Sequence, residues 1–318
     1  MLILSPLHSR EGWRQLTTDD GLSSNGINTI FQAKNGDIWI GSDMGITRYN
    51  GLFGESSYNS VNSILELPSG QIFAREVGTD YKDQTARIYL FDGLEWDEPD
   101  FLGDNDIRAS DMPEFAVVDG GKLWISTIWY GLVAFDGQKW QLYDADVRTD
   151  WLVQTPDGRL WTESWNLDGI VSFDGQKWNP EFDTDNSLLD ATTTNTVLAT
   201  SNGMILLGTD QGLFQYHPVL NLITDLKLGQ VDVKLIYETN DQSLWVATDN
   251  GLFQLADGKW QESITDQAIN TIQQTDQNQL WLATSNGLYH FRHGEWIPEL
   301  NVAVNSFTEL TDGTCVEL

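Results

Sequence analysis

A unit of short, turn-bounded apolar segments recurs along this chain, and it limits the possible folds more than any other feature. Its first copy is INTIFQAKNGDIWIGSDMGITRYNG, Ile27 to Gly51. Close copies follow as VVDGGKLWISTIWYGLVAFDGQKWQLYD, LVQTPDGRLWTESWNLDGIVSFDGQKW, LIYETNDQSLWVATDNGLFQLADGKWQ and TIQQTDQNQLWLATSNGLYHFRHGEW. Two weaker copies, SILELPSGQIFAREVG and VLATSNGMILLGTDQGLFQY, carry Phe73 and Leu206 where the others have tryptophan. The shared core position falls at 39, 73, 124, 161, 206, 245, 281 and 316, with intervals of 34 to 51 residues.

Each unit reads as four strands joined by turns. Asn35-Gly36, Ser69-Gly70, Asp157-Gly158 and Asn202-Gly203 are hairpin signals, because these turns need the positive φ that glycine and asparagine tolerate. A second turn closes with Gly45, Gly131, Gly169, Gly212, Gly251 or Gly287, and an FDG or ADG turn precedes an outer strand that opens with tryptophan. DIWIG, KLWIS, SLWVA and QLWLA are too short for helices and apolar on both faces, as suits small sheets packed between neighbours.

Four-stranded units of this size cannot bury their own faces, and stacking them radially gives an all-β fold, a β-propeller of antiparallel blades. The ends extend the pattern. NSFTELTDGTCVEL stops after a second strand, while LILSPLHSREGWRQLT aligns with the third and fourth strands of a unit. Joining them gives eight blades, the last closed by N- and C-terminal strands, in a single domain over residues 1–318. Seven is the count if a terminal segment lies outside the ring.

Composition narrows the partners. Seventeen Lys and Arg oppose 47 Asp and Glu, a formal charge of −30. That balance repels phosphate backbones and anionic lipid, so neither nucleic acid nor membrane is an expected partner. Cys315 is the sole cysteine, which excludes an intrachain disulfide framework and a cysteine-based zinc site. The opening MLILSPLHSREGW lacks a basic start and an uninterrupted apolar stretch, and no apolar run reaches about 18 residues. A cytoplasmic location is the expectation, with a periplasmic one if the chain is a fragment of a larger sensor.

The pattern NG-x-[IL]-W-[IVL]-[GA]-[TS]-[DS]-x-G-[LI], followed by a strand ending in [FY]-[DN]-G and then by Trp, resembles the two-component regulator propeller repeat. The resemblance covers essentially the whole chain. It implies the ligand-sensing propeller of hybrid two-component sensors, which often respond to oligosaccharides. No kinase, DNA-binding or immunoglobulin-like segment accompanies the repeats here.

Subtracting the repeat isolates candidate functional residues. Of 14 tryptophans, five (Trp39, Trp124, Trp161, Trp245, Trp281) hold the second-strand core position and six (Trp13, Trp96, Trp140, Trp178, Trp260, Trp296) open the outer strand. Trp129, Trp151 and Trp165 have no such explanation. Trp129-Tyr130 and Trp165-Asn166 occupy the turn between second and third strands, and Trp151 begins an inner strand, so all should gather on one rim. Flat aromatic faces there could stack on a saccharide-like ligand, with Asn166, Asp43 and Asp210 as polar partners. Local packing that seals a long loop is the competing account, at even weight.

No cofactor signature is present. GDNDIRASDMPE (Asp104, Asp106, Asp111, Glu114) and DTDNSLLD (Asp183, Asp185, Asp190) admit calcium, but neither has EF-type spacing, and solvated acidic loops are the favoured reading. His290 and His293 are spaced to opposite sides of a strand, against joint metal ligation. No nucleophile elbow, P-loop, dinucleotide fingerprint or HExxH appears. A non-enzymatic sensor-type binding module, taking a small molecule or oligosaccharide, is therefore the leading function. A protein-interaction scaffold and an acid/base lyase or glycosidase are the alternatives.

Overall fold

The computed structural model describes residues 2–6, 14–50, 53–56, 60–77, 86–97, 116–119, 121–127, 131–144, 151–164, 169–183, 189, 193–275, 278–301, 303–304, 307–309 and 314–317. The chain opens with β1 (Leu2–Pro6) and β2 (Arg14–Leu16). One 3-10 turn over Thr18–Asp20 follows, capped by the Thr17 hydroxyl, which accepts from the Asp19 N–H.

Among the described residues, seven sheets then follow in chain order. They are β3 (Ile27–Gln32) to β6 (Phe53–Ser56) through β4 (Ile38–Ser42) and β5 (Gly45–Tyr49); β7 (Ser60–Glu66), β8 (Ile72–Val77), β9 (Ala86–Phe91) and β10 (Trp96–Asp97); β11 (Ala116–Asp119), β12 (Lys122–Thr127), β13 (Gly131–Phe135) and β14 (Trp140–Asp144); β15 (Val153–Gln154), β16 (Leu160–Ser164), β17 (Gly169–Phe173) and β18 (Trp178–Asp183); β19 (Thr194–Ala199), β20 (Ile205–Thr209), β21 (Gly212–His217) and β22 (Leu222–Asp225); β23 (Val233–Glu238), β24 (Leu244–Thr248), β25 (Gly251–Ala256) and β26 (Lys259–Thr265); and β27 (Ile269–Gln274), β28 (Leu280–Thr284), β29 (Gly287–Arg292) and β30 (Glu295–Leu300). Each is four-stranded, with its strands adjacent in chain order.

β31 (Phe307–Glu309) and β32 (Thr314–Glu317) belong to a further, composite sheet of order β2-β1-β32-β31. β1 runs antiparallel to β32, pairing Ile3 with Glu317 and Leu4 with Val316. Among the described residues there is no α-helix, and no helix is long and apolar enough to cross a membrane.

Two compact units divide the chain, Met1–Leu152 with Thr308–Leu318, and Val153–Phe307. In the first, Trp39 on β4 meets Phe91 on β9 edge-on at 5.1 Å between ring centroids, and Trp96 on β10 at 5.6 Å. In the second, Trp245 on β24 meets Phe291 on β29 at 5.2 Å and Trp296 on β30 at 5.6 Å. The second-strand tryptophan of one sheet thus wedges between the third-strand phenylalanine and outer-strand tryptophan of the next. Each such ring takes on the order of 200 Å² out of water, several kcal/mol of burial, which accounts for tryptophan at both repeat positions. The second strands β4, β20, β24 and β28 are buried at every residue, as their lack of polar alternation predicts.

Candidate functional site

The turn between second and third strands is built the same way in four sheets. Ser42, Thr209, Thr248 and Thr284 end the second strand, and each hydroxyl donates to the carbonyl three residues on, that of Gly45, Gly212, Gly251 or Gly287, at 3.0 to 3.4 Å. Each also accepts the N–H of the residue two on, Met44, Gln211, Asn250 or Asn286. The residue between anchors the turn to the start of its own sheet: Asp43 N–H donates to Gly26, Asp210 to Thr193, Asp249 to Asp232 and Ser285 to Ala268. The [TS]-[DS] pair of the repeat is therefore a backbone-satisfying device, and it leaves the side chains at the turn tip to face solvent.

Within the second unit these tips form a polar rim. Gln211, Asp249, Asn250, Ser285 and Asn286 are exposed, and Asp210 is half-buried with its carboxylate accepting the Thr193 N–H at 3.0 Å. Beside them the first strands carry β-bulges, at Thr194/Thr196, Val233/Leu235 and Ile269/Thr271. The bulged residues Asn195, Lys234 and Asn270 reach sideways. Asn195 donates its amide to Val233 O at 3.2 Å and to Asp232 at 2.6 Å, and Asn270 donates to Val304 O at 2.7 Å. Asn28 in the first unit does the same toward Val61 O at 3.3 Å. Asn28 and Asn195 latch their sheets to the next, and Asn270 latches its sheet to the segment that precedes β31, a role no sequence motif announced.

Lys234 stands where the others have asparagine. Its ammonium lies 2.5 Å from Asp232 and 3.8 Å from Asp249. The hydrogen bond to Asp232, reinforced by both carboxylate charges, holds it above the usual lysine range. Lys234 is about half exposed, so the pair offers solvent a charged donor beside carboxylate and carboxamide acceptors. Chemically, this rim can exchange many directional hydrogen bonds with a ligand rich in hydroxyl groups.

Glu76 departs from the turn rule. It aligns with Ser42, Thr209, Thr248 and Thr284, yet it is a carboxylate, 3% exposed at the end of β8, with Oε2 lacking a hydrogen-bond partner. The comparison that isolated the surplus tryptophans, applied to this position, would have found it.

Of the residues singled out from the sequence, Trp129, Tyr130, Trp165 and Asn166 lie outside the described residues. Trp151 is 4% exposed, so its ring is packed rather than offered to a ligand, as the local-packing account anticipates for that residue. Asp43 is exposed and Asp210 half-buried, each at a second–third turn as expected. Asp104, Asp106, Asp111, Glu114, Asp185 and Asp190 lie outside the described residues, as do His8 and Trp13. Among the described residues no cluster of three or more His, Cys, Asp or Glu is placed to hold a metal ion.

The two-component regulator propeller repeat matches residues 21–44, which hold the first strand β3, its hairpin turn and the second strand β4 around Trp39. Comparison with curated proteins gives no match. Among solved structures, the extracellular domain of a protein described as a hybrid two-component system from B. thetaiotaomicron superposes with TM-score 0.59 at 19% identity, over 91% of this chain and 40% of that one. A second such domain from the same organism gives 0.56 at 18%, over 96% and 41%. Virginiamycin B lyase from Staphylococcus aureus gives 0.57 at 13%, over the whole of both chains. The chain spans half or less of the length of the sensor domains it matches. These likenesses establish an all-β propeller fold with four-stranded antiparallel blades. The chain thus carries one recognised copy of the two-component regulator propeller repeat, at residues 21–44, within a fold similar to that of those extracellular domains.

Proposed function

We propose that the whole chain, residues 1–318, is a non-enzymatic, sensor-type binding module whose second–third turn rim takes a small, hydroxyl-rich ligand of saccharide type. The observation that carries this reading is the hydroxyl-anchored turn, which spends its own backbone groups internally and frees Asp249, Asn250, Ser285 and Asn286 to meet a ligand. Carboxylates and carboxamides in successive sheets match the spaced hydroxyls of a sugar chain, and the Lys234–Asp232 pair adds a charge-assisted donor. The sequence repeat aligns Trp129, Tyr130 and Trp165 with these positions, and this reading assigns them stacking faces. The relatives that share the fold as extracellular domains support a place outside the cytoplasm over a cytoplasmic one.

The test is titration of a neutral oligosaccharide panel, followed by tryptophan fluorescence and calorimetry. A glycan that binds, and loses about tenfold or more in affinity in Asp249→Asn, Lys234→Ala and Trp165→Ala, supports the reading. Absence of binding across the panel, or affinities unchanged in all three variants, overturns it. Release of a cleaved product from any panel member moves the assignment to a lyase or glycosidase, a reading favoured by the end-to-end likeness to virginiamycin B lyase.

A further inference from the structure

The turns between third and fourth strands follow one rule, and a single described turn breaks it toward apolar chemistry. Elsewhere the turn holds a glycine at positive φ: Gly93, Gly137, Gly175, Gly258 and Gly294. In three of these, Asp92, Asp136 and Asp174 cap the turn by accepting two backbone N–H groups each. Between β21 and β22 the turn is Pro218-Val219-Leu220-Asn221, with no glycine and no acidic cap. Asn221 supplies the left-handed residue instead, at φ 49.

Val219 is 85% exposed and Leu220 64%, and Leu222 at the start of β22 is 51% exposed. Large aliphatic side chains contiguous at this exposure mark an interaction surface more than a packing accident. The turn is held in place: the Tyr216 hydroxyl donates to Asn221 Oδ1 at 3.2 Å, and the Leu220 N–H donates to His217 Nδ1 at 3.4 Å. Such pre-ordering lowers the entropy lost when a partner docks.

A groove of about 270 Å³ runs beside it, lined by Pro156, Asp157, Arg159, Met204, Pro218 and Val219 among others. The same adjacency of turns is closed at one other place, whereas an added Cβ at Gly93, Gly175, Gly258 or Gly294 would meet nothing within 4 Å. At Gly137 the third–fourth turn abuts the preceding sheet's first–second turn, where an added Cβ would meet Gln71 Oε1 at 3.3 Å. The replaced turn thus coincides with an open cleft.

Charge selects the occupant. Asp157 and Glu181 flank the groove's Arg159, at 2.8 and 3.4 Å, and Glu238 accepts from the groove residue Ser201 at 2.7 Å. The lining itself pairs Asp157 with Arg159, and Glu181 and Glu238, standing behind Arg159 and Ser201, leave the surroundings acidic on a chain of net charge −30. A second copy would be repelled, whereas a cationic segment is drawn in.

We propose that the Pro218–Asn221 turn and its groove dock a basic, aliphatic peptide segment of a different protein. Leucine- or isoleucine-like side chains would enter against Val219, Pro218 and Met204, with lysine or arginine reaching the carboxylate margin. This surface is separate from the glycan rim and stands or falls independently of it.

Fluorescence anisotropy of the full chain with three labelled short peptides, alternating Leu/Lys, Ser/Lys and Leu/Glu, tests the assignment at near-physiological salt. The Leu/Lys peptide is expected to bind at least about tenfold more tightly than either control. The double variant Val219→Ser with Leu220→Ser, at exposed positions and with its fold checked by thermal melting, is expected to abolish that preference. Leu94→Ser, at an equally exposed turn leucine on another sheet, is expected to leave binding unchanged. Equal binding of Ser/Lys and Leu/Lys peptides, an unaffected double variant, or an equal loss in Leu94→Ser overturns the proposal. So does self-association of the chain that the double variant abolishes in sedimentation, which would make a second copy the occupant.

Discussion

Trp281 and His290 lie face to face across β28 and β29, their ring centroids 4.4 Å apart and their planes within 3° of parallel. Sheet register sets them opposite each other, as it sets Trp39 opposite Arg48 and Trp245 opposite Gln254. A flat or guanidinium-bearing side chain at this position covers the indole face, and Arg48 does so at 5.4 Å from the Trp39 ring.

His290 should make stability depend on pH. Burial pushes its imidazole down from the ordinary 6.5 to about 4, and the Arg292 guanidinium, whose Nε donates to His290 Nδ1 at 2.6 Å, adds to the effect. The folded protein therefore binds this proton less readily than the unfolded chain. The contribution is fully present above the unfolded value, and it is lost as pH falls from about 6.5 through about 4. His290→Gln, which installs the residue found opposite Trp245, removes the titration. Melting temperatures of both proteins between about pH 7.5 and 4.5 should diverge, the parent losing more; parallel curves would sink the assignment.

Crowding at the small residue after the second-strand core position gives a graded stability series. A Cβ added to Gly208 would lie 2.5 Å from Val233 Cγ1 and 2.6 Å from Thr196 Cγ2. One added to Gly41 would meet the Val61 carbonyl oxygen at 2.7 Å, and backbone yields less than a methyl group. Gly41→Ala is expected to cost more than Gly208→Ala, and Gly208→Val about 1–3 kcal/mol, measured by denaturant unfolding. A neutral Gly208→Val would show that neighbouring sheets are not held at this separation.

How much of this was legible beforehand depends on whether a residue obeys the repeat. Gly45, Gly212 and Gly251 stand at positive φ at the starts of third strands, where the turn pattern placed them. The pairing of β1 with β32 was readable because LILSP aligns with a third strand and TCVEL with a second. Trp151 departs from the repeat yet is buried, because a break in a repeat marks a residue as unusual without fixing whether it is exposed. The Asn28, Asn195 and Asn270 latches were hidden for another reason. A bulge shifts the register at each of them, so simple alternation does not reveal where the amide points.

Those latches should be worth more than a surface asparagine. Asn270→Ala leaves the Val304 carbonyl without this donor, and Asn28→Ala does so for Val61. Each is expected to lower unfolding free energy by about 1–2 kcal/mol. Gln32→Ala, whose amide bonds Gly36 O within its own sheet at 3.3 Å on an exposed edge, serves as the comparison and should cost less. Equal losses at all three positions would mean that joining sheets adds nothing to the bond's value.

The composite sheet makes the strongest demand on the chain's two ends. β1 lies between β2 and β32, paired on one side through Leu2 with Leu16 and on the other through Leu4 with Val316. Removing residues 1–16 takes away two of its four strands and leaves β32 with unsatisfied N–H and C=O groups along one edge. The truncated chain should unfold at lower temperature and less cooperatively, and the bared edge should promote self-association. A synthetic peptide of residues 1–16, added in trans, supplies the missing strand by edge addition and should restore part of the lost melting temperature in proportion to its concentration. A peptide with Leu4→Pro should restore less, because that residue's N–H is lost to the ladder. A truncated protein that melts like its parent, or one indifferent to the peptide, would show that pairing between the two ends contributes nothing to stability.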